Sequence, residues 1–440
     1  MSRGRYVTVF RAPGVAWLLT TSLLARLPVA MANLAIILRI ATATGSYARA
    51  GAVTAAYVVC TGLTGPVLGR LADRFGRRPV LLASAVVNAA GLISLAFIPV
   101  RETLVVFVVA AASGASLPPV APAVRSLWPS LVSGELRSSL YAFDATMQEA
   151  TFMAGPSLVA VLSTLSGPPA ALIACGAIGL GGTVALCLHP AISVAIRDDV
   201  PSPELTGSPE TAADASPPAR SHSAGAGYPG GSAGAGEPGP VAGTPRPGVG
   251  KRRRRHIAGI PGLGTLVVII LVLLTAILVV EVTVVAFAGR AHESSQAGIL
   301  LAVWATGSMV GGFAFGARTA HAGARVLAPL MAAAGVGFLC LAAAPDVGVL
   351  YGLLFLAGVA IAPGFSCIYG LVGTLAPSTG SVEAFSWVGS GIQLGAAAGA
   401  AIGGVLVDTV GTHWSFVFGG GGAMATAAIA VWRRGHLGAA

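Results

Sequence analysis

The chain has 440 residues, 55% of them hydrophobic and only 10% charged, with a formal net charge of +10. A soluble globular protein is about 25% charged, so an ordinary water-soluble globule is excluded and the bilayer becomes the solvent in which this sequence folds. An outer-membrane barrel is disfavoured, because runs such as Leu263–Val280 are apolar without the alternation of a barrel strand.

About 20 apolar residues cross a hydrocarbon core. Windows of that kind, bounded by charged or Gly/Pro-rich breaks, predict spans near 14–38, 50–70, 79–99, 104–127, 139–164 and 169–188. A second six follow near 262–288, 296–317, 326–344, 347–375, 382–407 and 413–432. The expected fold is all-α: twelve transmembrane helices in two pseudo-symmetric six-helix bundles, residues 1–190 and 259–440, joined by a disordered cytoplasmic linker at 191–258. Arg3, Arg5 and Arg11 precede a first apolar run too long for a signal peptide, so that run reads as a retained first helix.

Most of the 26 Lys and Arg residues fall in the termini, the even-numbered loops and the central segment. The positive-inside rule therefore places both termini and the linker in the cytoplasm. Lys251-Arg252-Arg253-Arg254-Arg255, just before span 7, suits anionic lipid headgroups and holds that helix's start inside. Because the basic residues lie between apolar runs and at the chain ends, they point to lipid and topology, and no nucleic-acid partner is expected. Lys251 is the one lysine, an arginine-dominated usage that suggests a GC-rich bacterial genome and hence a bacterial cytoplasmic membrane. The five cysteines lie in apolar stretches without a CxxC or Cys/His cluster, and no HExxH, GxSxG or Walker sequence occurs. No metal, cofactor or enzymatic activity is expected.

The halves share a weak repeat. Gly65-x3-Gly69 and Arg78 recur 247 positions later as Gly312-x3-Gly316 and Arg325, and Gly114 and Pro119 recur 244 positions later as Gly358 and Pro363. Small residues allow helices to approach closely, and Gly or Pro within a span loosens its hydrogen-bond ladder.

Between spans 2 and 3 the chain reads Gly69-Arg70-Leu71-Ala72-Asp73-Arg74-Phe75-Gly76-Arg77-Arg78-Pro79-Val80-Leu81. The two glycines suit a tight turn against a neighbouring bundle, and one acid among four arginines can form a charge network. This stretch resembles motif A of the major facilitator superfamily, G-x-L-a-D-r-x-G-r-k-x-x-l. With two six-span halves, the resemblance covers essentially the whole chain and implies transport by alternating access. It further implies that Gly69, Asp73, Arg74, Gly76, Arg77 and Arg78 form a conformational gate. Asp73 would engage the start of the eleventh helix near Ser381-Val382-Glu383 and hold the cytoplasmic side closed; Glu383 would compete with it, or pair with Arg74 or Arg77. Two antiporter marks of the family are incomplete: Ala110 stands where a basic residue precedes Gly114, and Gly155-Pro156 lacks its flanking glycines at Thr151 and Val159.

Intramembrane charges are expensive and usually functional. Arg26 in span 1, Glu149 in span 5 and Glu281 in span 7 are the leading transport or coupling candidates. Arg26 and Glu149 are expected to pair, on equal depth counted from the span ends, while Asp144 and Arg125 neutralise one another nearer the cytoplasmic end. Gln148, Asn33, Asn88 and Gln393 either line a polar cavity or make helix-packing contacts. The expected function is proton-coupled efflux of a small organic molecule, hydrophobic or cationic, by a monomer whose other partners are protons and membrane lipid. The alternatives are an importer or facilitator of a metabolite and a transport-incompetent sensor that keeps the fold.

Overall fold

The computed structural model describes residues 14–132, 134–193, 260–290, 296–318 and 323–437. Arg3, Arg5, Arg11, the linker beyond Ser193 and the basic block Lys251–Arg255 lie outside the described residues. Among the described residues the regular structure is helical, without strands. The first half contains α1 (Val15–Thr44), α2 (Tyr47–Phe75), α3 (Arg77–Phe97), α4 (Thr103–Leu131, interrupted), α5 (Gly134–Ser166) and α6 (Pro168–Cys187). The second contains α7 (Pro261–Arg290), α8 (Ala297–Arg318), α9 (Ala324–Leu341), α10 (Val347–Leu375, interrupted), α11 (Ser381–Thr409) and α12 (Gly411–Trp432).

Eleven of these are long and apolar enough to cross a membrane. The other, α5, has 33 residues, and Glu135, Arg137, Asp144 and Glu149 make its first half more polar. Such a helix survives in a bilayer when its charges face protein. The chain is thus an all-α, multi-pass membrane protein.

Helix is the default here because lipid supplies no partner for backbone N–H and C=O groups. Local chemistry sets the ends. Ser46 Oγ accepts from Arg49 N at the start of α2, and Asp346 Oδ1 accepts from Val349 N at the start of α10. Gly76 turns α2 into α3 in a single residue with φ of 94°, a conformation that side chains disfavour.

Both interrupted helices break at matching points. In α4 the first segment, Thr103–Ala115, ends before Pro118-Pro119, which lack backbone donors, and the second runs Val120–Arg125. In α10 the segments are Val347–Gly358 and Ile361–Leu375. A neighbouring helix satisfies the loosened backbone each time: Thr61 Oγ1 of α2 donates to Gly114 O, and Ser308 Oγ of α8 accepts from Ala362 N. The partners obey the repeat, since 308 − 61 is the same 247 seen in the glycine motifs.

Packing repeats as well. α1 lies on α5 and α6, α3 on α6, and α2 on α4; the same pairs, six helices later, are α7 on α11 and α12, α9 on α12, and α8 on α10. Gly114 abuts the backbone of Tyr57 and Gly358 that of Trp304, so a Cβ at either glycine would strike a carbonyl.

The halves meet along two repeat-related seams, α2 against α11 and α5 against α8, with further contact of α5 on α10 and of α4 on α11. In the first, Gly65 faces Ser390 Oγ, and Gly69 lies against Ser386 and the backbone of Glu383. In the second, Gly312 lies against Thr146, and Ser139 Oγ donates to Gly316 O at 2.6 Å. The repeated glycines therefore lie where the two halves touch.

Candidate functional site

At the loop end of the first seam, Asp73 reaches across to the N-terminus of α11. Its Oδ1 accepts from Val382 N at 3.2 Å and its Oδ2 from Glu383 N at 2.8 Å. These are N–H groups that a helix start leaves without partners, and the helix dipole favours an anion beside them. The contact that the motif implies between Asp73 and the start of the eleventh helix is present.

Glu383 departs from expectation. It accepts two hydrogen bonds from Arg70, Nε to Oε2 at 3.1 Å and Nη2 to Oε1 at 2.7 Å, and it pairs with neither Arg74 nor Arg77. Arg70 precedes Asp73 by three residues and so shares its helix face. Arg74 is exposed, its guanidinium 5.1 Å from the centroid of the Phe75 ring. Arg77 is buried within electrostatic reach of Asp73, and Arg78 is exposed.

A second cluster lies deeper. Asp144 of α5 takes Arg26 Nη1 of α1 on Oδ1 and Arg125 Nε of α4 on Oδ2, each at 2.6 Å. The three residues are 2%, 6% and 3% exposed respectively, so one carboxylate serves two buried guanidiniums. Arg125 Nη2 donates to Gln148 Oε1 at 2.6 Å, and Tyr369 of α10 donates to the same oxygen at 3.2 Å. The Tyr369 ring lies 3.6 Å from Arg125 Cζ, a cation–π contact between the halves.

The expected Arg26–Glu149 pair is corrected to Arg26–Asp144. The expectation starts span 5 at 139, whereas α5 starts at 134. Asp144 is then 10 residues in (144 − 134) and Arg26 is 11 residues into α1 (26 − 15), or about 15 and 16 Å at ~1.5 Å per residue. Glu149, five residues further along α5, lies about 140° around the helix from Asp144. It comes instead within electrostatic reach of Glu281 on α7. Among the described residues neither Glu149 nor Glu281 has an ion-pair or hydrogen-bond partner. Arg125 and Asp144 do neutralise one another, but as two members of a triad.

A cavity of about 930 Å³, its open mouth included, lies between the halves against this triad. Arg26, Arg125 and Gln148 form its polar wall, the Leu117–Pro122 break of α4 flanks them, and Phe385, Ser386, Ser390 and Gln393 of α11 stand opposite. Gln148 and Gln393 are thus cavity residues, while Asn88 makes a packing bond to Ser113 O at 2.7 Å and Asn33 is absent from the cavity wall. Tyr369, Ser386 and Ser390 escape sequence reasoning. The available signal for Tyr369 is a phenol in an otherwise apolar span, which needs a partner when buried.

The sequence profile of the Major Facilitator Superfamily matches residues 18–325 and 266–437. No curated protein matches the chain in sequence. Among solved structures, a bacterial homologue of the iron transporter ferroportin in its outward-facing state superposes with a TM-score of 0.68 at 13% identity, covering 96% of this chain and 99% of that one. The human organic anion transporter MFSD10 gives 0.65 at 15% identity over 94% of this chain and 99% of its own. FucP, a major facilitator transporter in the outward conformation, gives 0.65 at 14% identity over 96% and 99%. At these identities the likeness concerns the fold, and the profile match adds the lineage across both halves. With this match over both halves, the chain belongs to the Major Facilitator Superfamily and has the fold of that family's transporters.

Proposed function

We propose that the protein is a proton-coupled secondary transporter that exports a small organic molecule across a bacterial cytoplasmic membrane, with both termini inside. The observation that carries this reading is the pair Glu149 and Glu281, two carboxyl groups on opposite halves, well inside their helices, without a basic partner among the described residues. A proton neutralises such a group, and water reaching it from the other side recharges it. Because the two belong to different halves, rocking one half against the other changes both their separation and their access.

The Arg26–Asp144–Arg125 triad has the complementary role. Its members all lie within one half, on α1, α4 and α5, so it forms a fixed polar wall against which cargo rests. The Asp73 contact and the Arg70–Glu383 pair close the cytoplasmic side. Export is the proposed direction because Gly155-Pro156, the part of the antiporter pattern present, packs α5 directly on Ala30 of α1.

Purified protein in liposomes loaded with a pH-sensitive dye tests the reading, with cargo first found by thermal-stabilisation screening. Glu149→Gln and Glu281→Gln should each lower gradient-driven accumulation at least tenfold, about 1.4 kcal/mol in coupling free energy, while downhill exchange continues. Full accumulation by both variants would remove these residues from coupling. Accumulation on the side matching uptake into the cell would replace export with import.

A further inference from the structure

We propose that the cavity selects a small organic monoanion, an oxyanion carried on an apolar body, and that Arg26 is the residue that selects it. This rests on the reading of the cavity as the transport site and reverses the sequence expectation of a hydrophobic or cationic cargo.

Charge on the wall does not cancel. Arg26 and Arg125 contribute two positive charges and Asp144 one negative, leaving one positive charge beside the cavity; Glu149 and Glu281 are not among its lining residues. The surplus falls on one side chain. Arg125 is satisfied by Asp144, Gln148 and the face of Tyr369. Arg26 uses only Nη1, and its Nε and Nη2 are buried without an acceptor, although the side chain is just 8% exposed and forms part of the cavity wall. A buried guanidinium in this condition is costly until an acceptor arrives.

The free atoms have a matching shape. Nε and Nη2 form one edge of the guanidinium, a two-donor fork that fits two oxygens of one oxyanion. Arg70 presents the same edge to Glu383 in this protein. Ser386 and Ser390 also line the cavity, with their Oγ atoms set against Gly69 and Gly65 of α2. Val29, Leu117, Phe152 and Ile392 supply apolar wall for the body. A cation in the same place would meet the unpaired positive charge directly.

The test uses full-length protein in lipid nanodiscs and three ligands sharing one ring but differing in fixed charge: benzenesulfonate, benzenesulfonamide and phenyltrimethylammonium. Calorimetry should show benzenesulfonate binding at least tenfold more tightly than the other two. Arg26→Gln should erase that preference. Arg26→Lys should fold, keep the order of the three ligands, and weaken benzenesulfonate alone, because an ammonium lacks the fork. If Arg26→Gln does not fold, Arg26→Lys decides, and benzenesulfonate affinity unchanged from wild type overturns the assignment. So does equal or tighter binding of either other ligand, or no benzenesulfonate binding up to about 10 mM.

Proteoliposomes separate this inference from the reading beneath it. If benzenesulfonate binds with Arg26 dependence yet its addition moves no protons, coupled transport fails and the anion site stands. If phenyltrimethylammonium moves protons and benzenesulfonate does not, transport stands and the anion assignment fails.

Discussion

Asp144 is the residue on which the polar interior depends, because it is the carboxylate that two buried guanidiniums share. Asp144→Asn would leave both buried with an amide, at a cost of about 3–5 kcal/mol, and should show as a marked loss of thermal stability in detergent. Glu149→Gln removes a charge that has no partner and should leave stability equal or higher. An Asp144→Asn protein as stable as the wild type would contradict this account of the triad. The charged candidates themselves were legible in the sequence, since an ionisable residue inside an apolar span is conspicuous. Their partners were not: moving the start of α5 by five residues exchanges Asp144 for Glu149 at the depth of Arg26 and turns the helix face away. Tyr369, Ser386 and Ser390 stayed hidden because they reach the site from the other half of the chain.

Helices tell a different story, because their existence depends on local composition. All twelve expected spans correspond to helices, with ends shifted by up to six residues at Thr44 and five at Phe75 and Gly134, where polar residues continue a helix past its apolar run. The repeat was visible as offsets of 247 and 244, but its meaning was not. Only the fold shows that Gly114 and Gly358 occupy equivalent crossings against the Tyr57 and Trp304 backbones. Equivalent crossings should tolerate bulk equally badly. Gly114→Ala and Gly358→Ala are each expected to cost about 1–3 kcal/mol through overpacking, whereas Gly298→Ala and Gly404→Ala, which meet nothing nearby, should stay within about 0.5 kcal/mol. Thermal melts of the four variants check this, and a tolerated alanine at both crossings would refute the equivalence.

For the whole molecule, the question is what holds the two halves closed at the loop end. Asp73→Asn keeps the shape of the side chain but exchanges a carboxylate for an amide at the start of α11. A loss of about 1–2 kcal/mol changes a two-state population by 5- to 30-fold. Spin labels at the loop ends of α2 and α11 should therefore show a longer distance gaining population, and an unchanged distribution with normal transport would refute the gate. The two seams that close this end are related by the repeat yet chemically unequal. One is ionic, with the Arg70 side chain 51% exposed, and the other contains the neutral bond from Ser139 to Gly316 O. Dissolved ions screen exposed charges over about 8–10 Å near physiological strength and leave a neutral buried hydrogen bond untouched. Concentrated salt should therefore loosen the α2–α11 edge while α5–α8 holds, so that the end opens like a book along that spine. Opening then follows the ionic strength of the fluid bathing this end, and Arg70→Gln should weaken its response to salt.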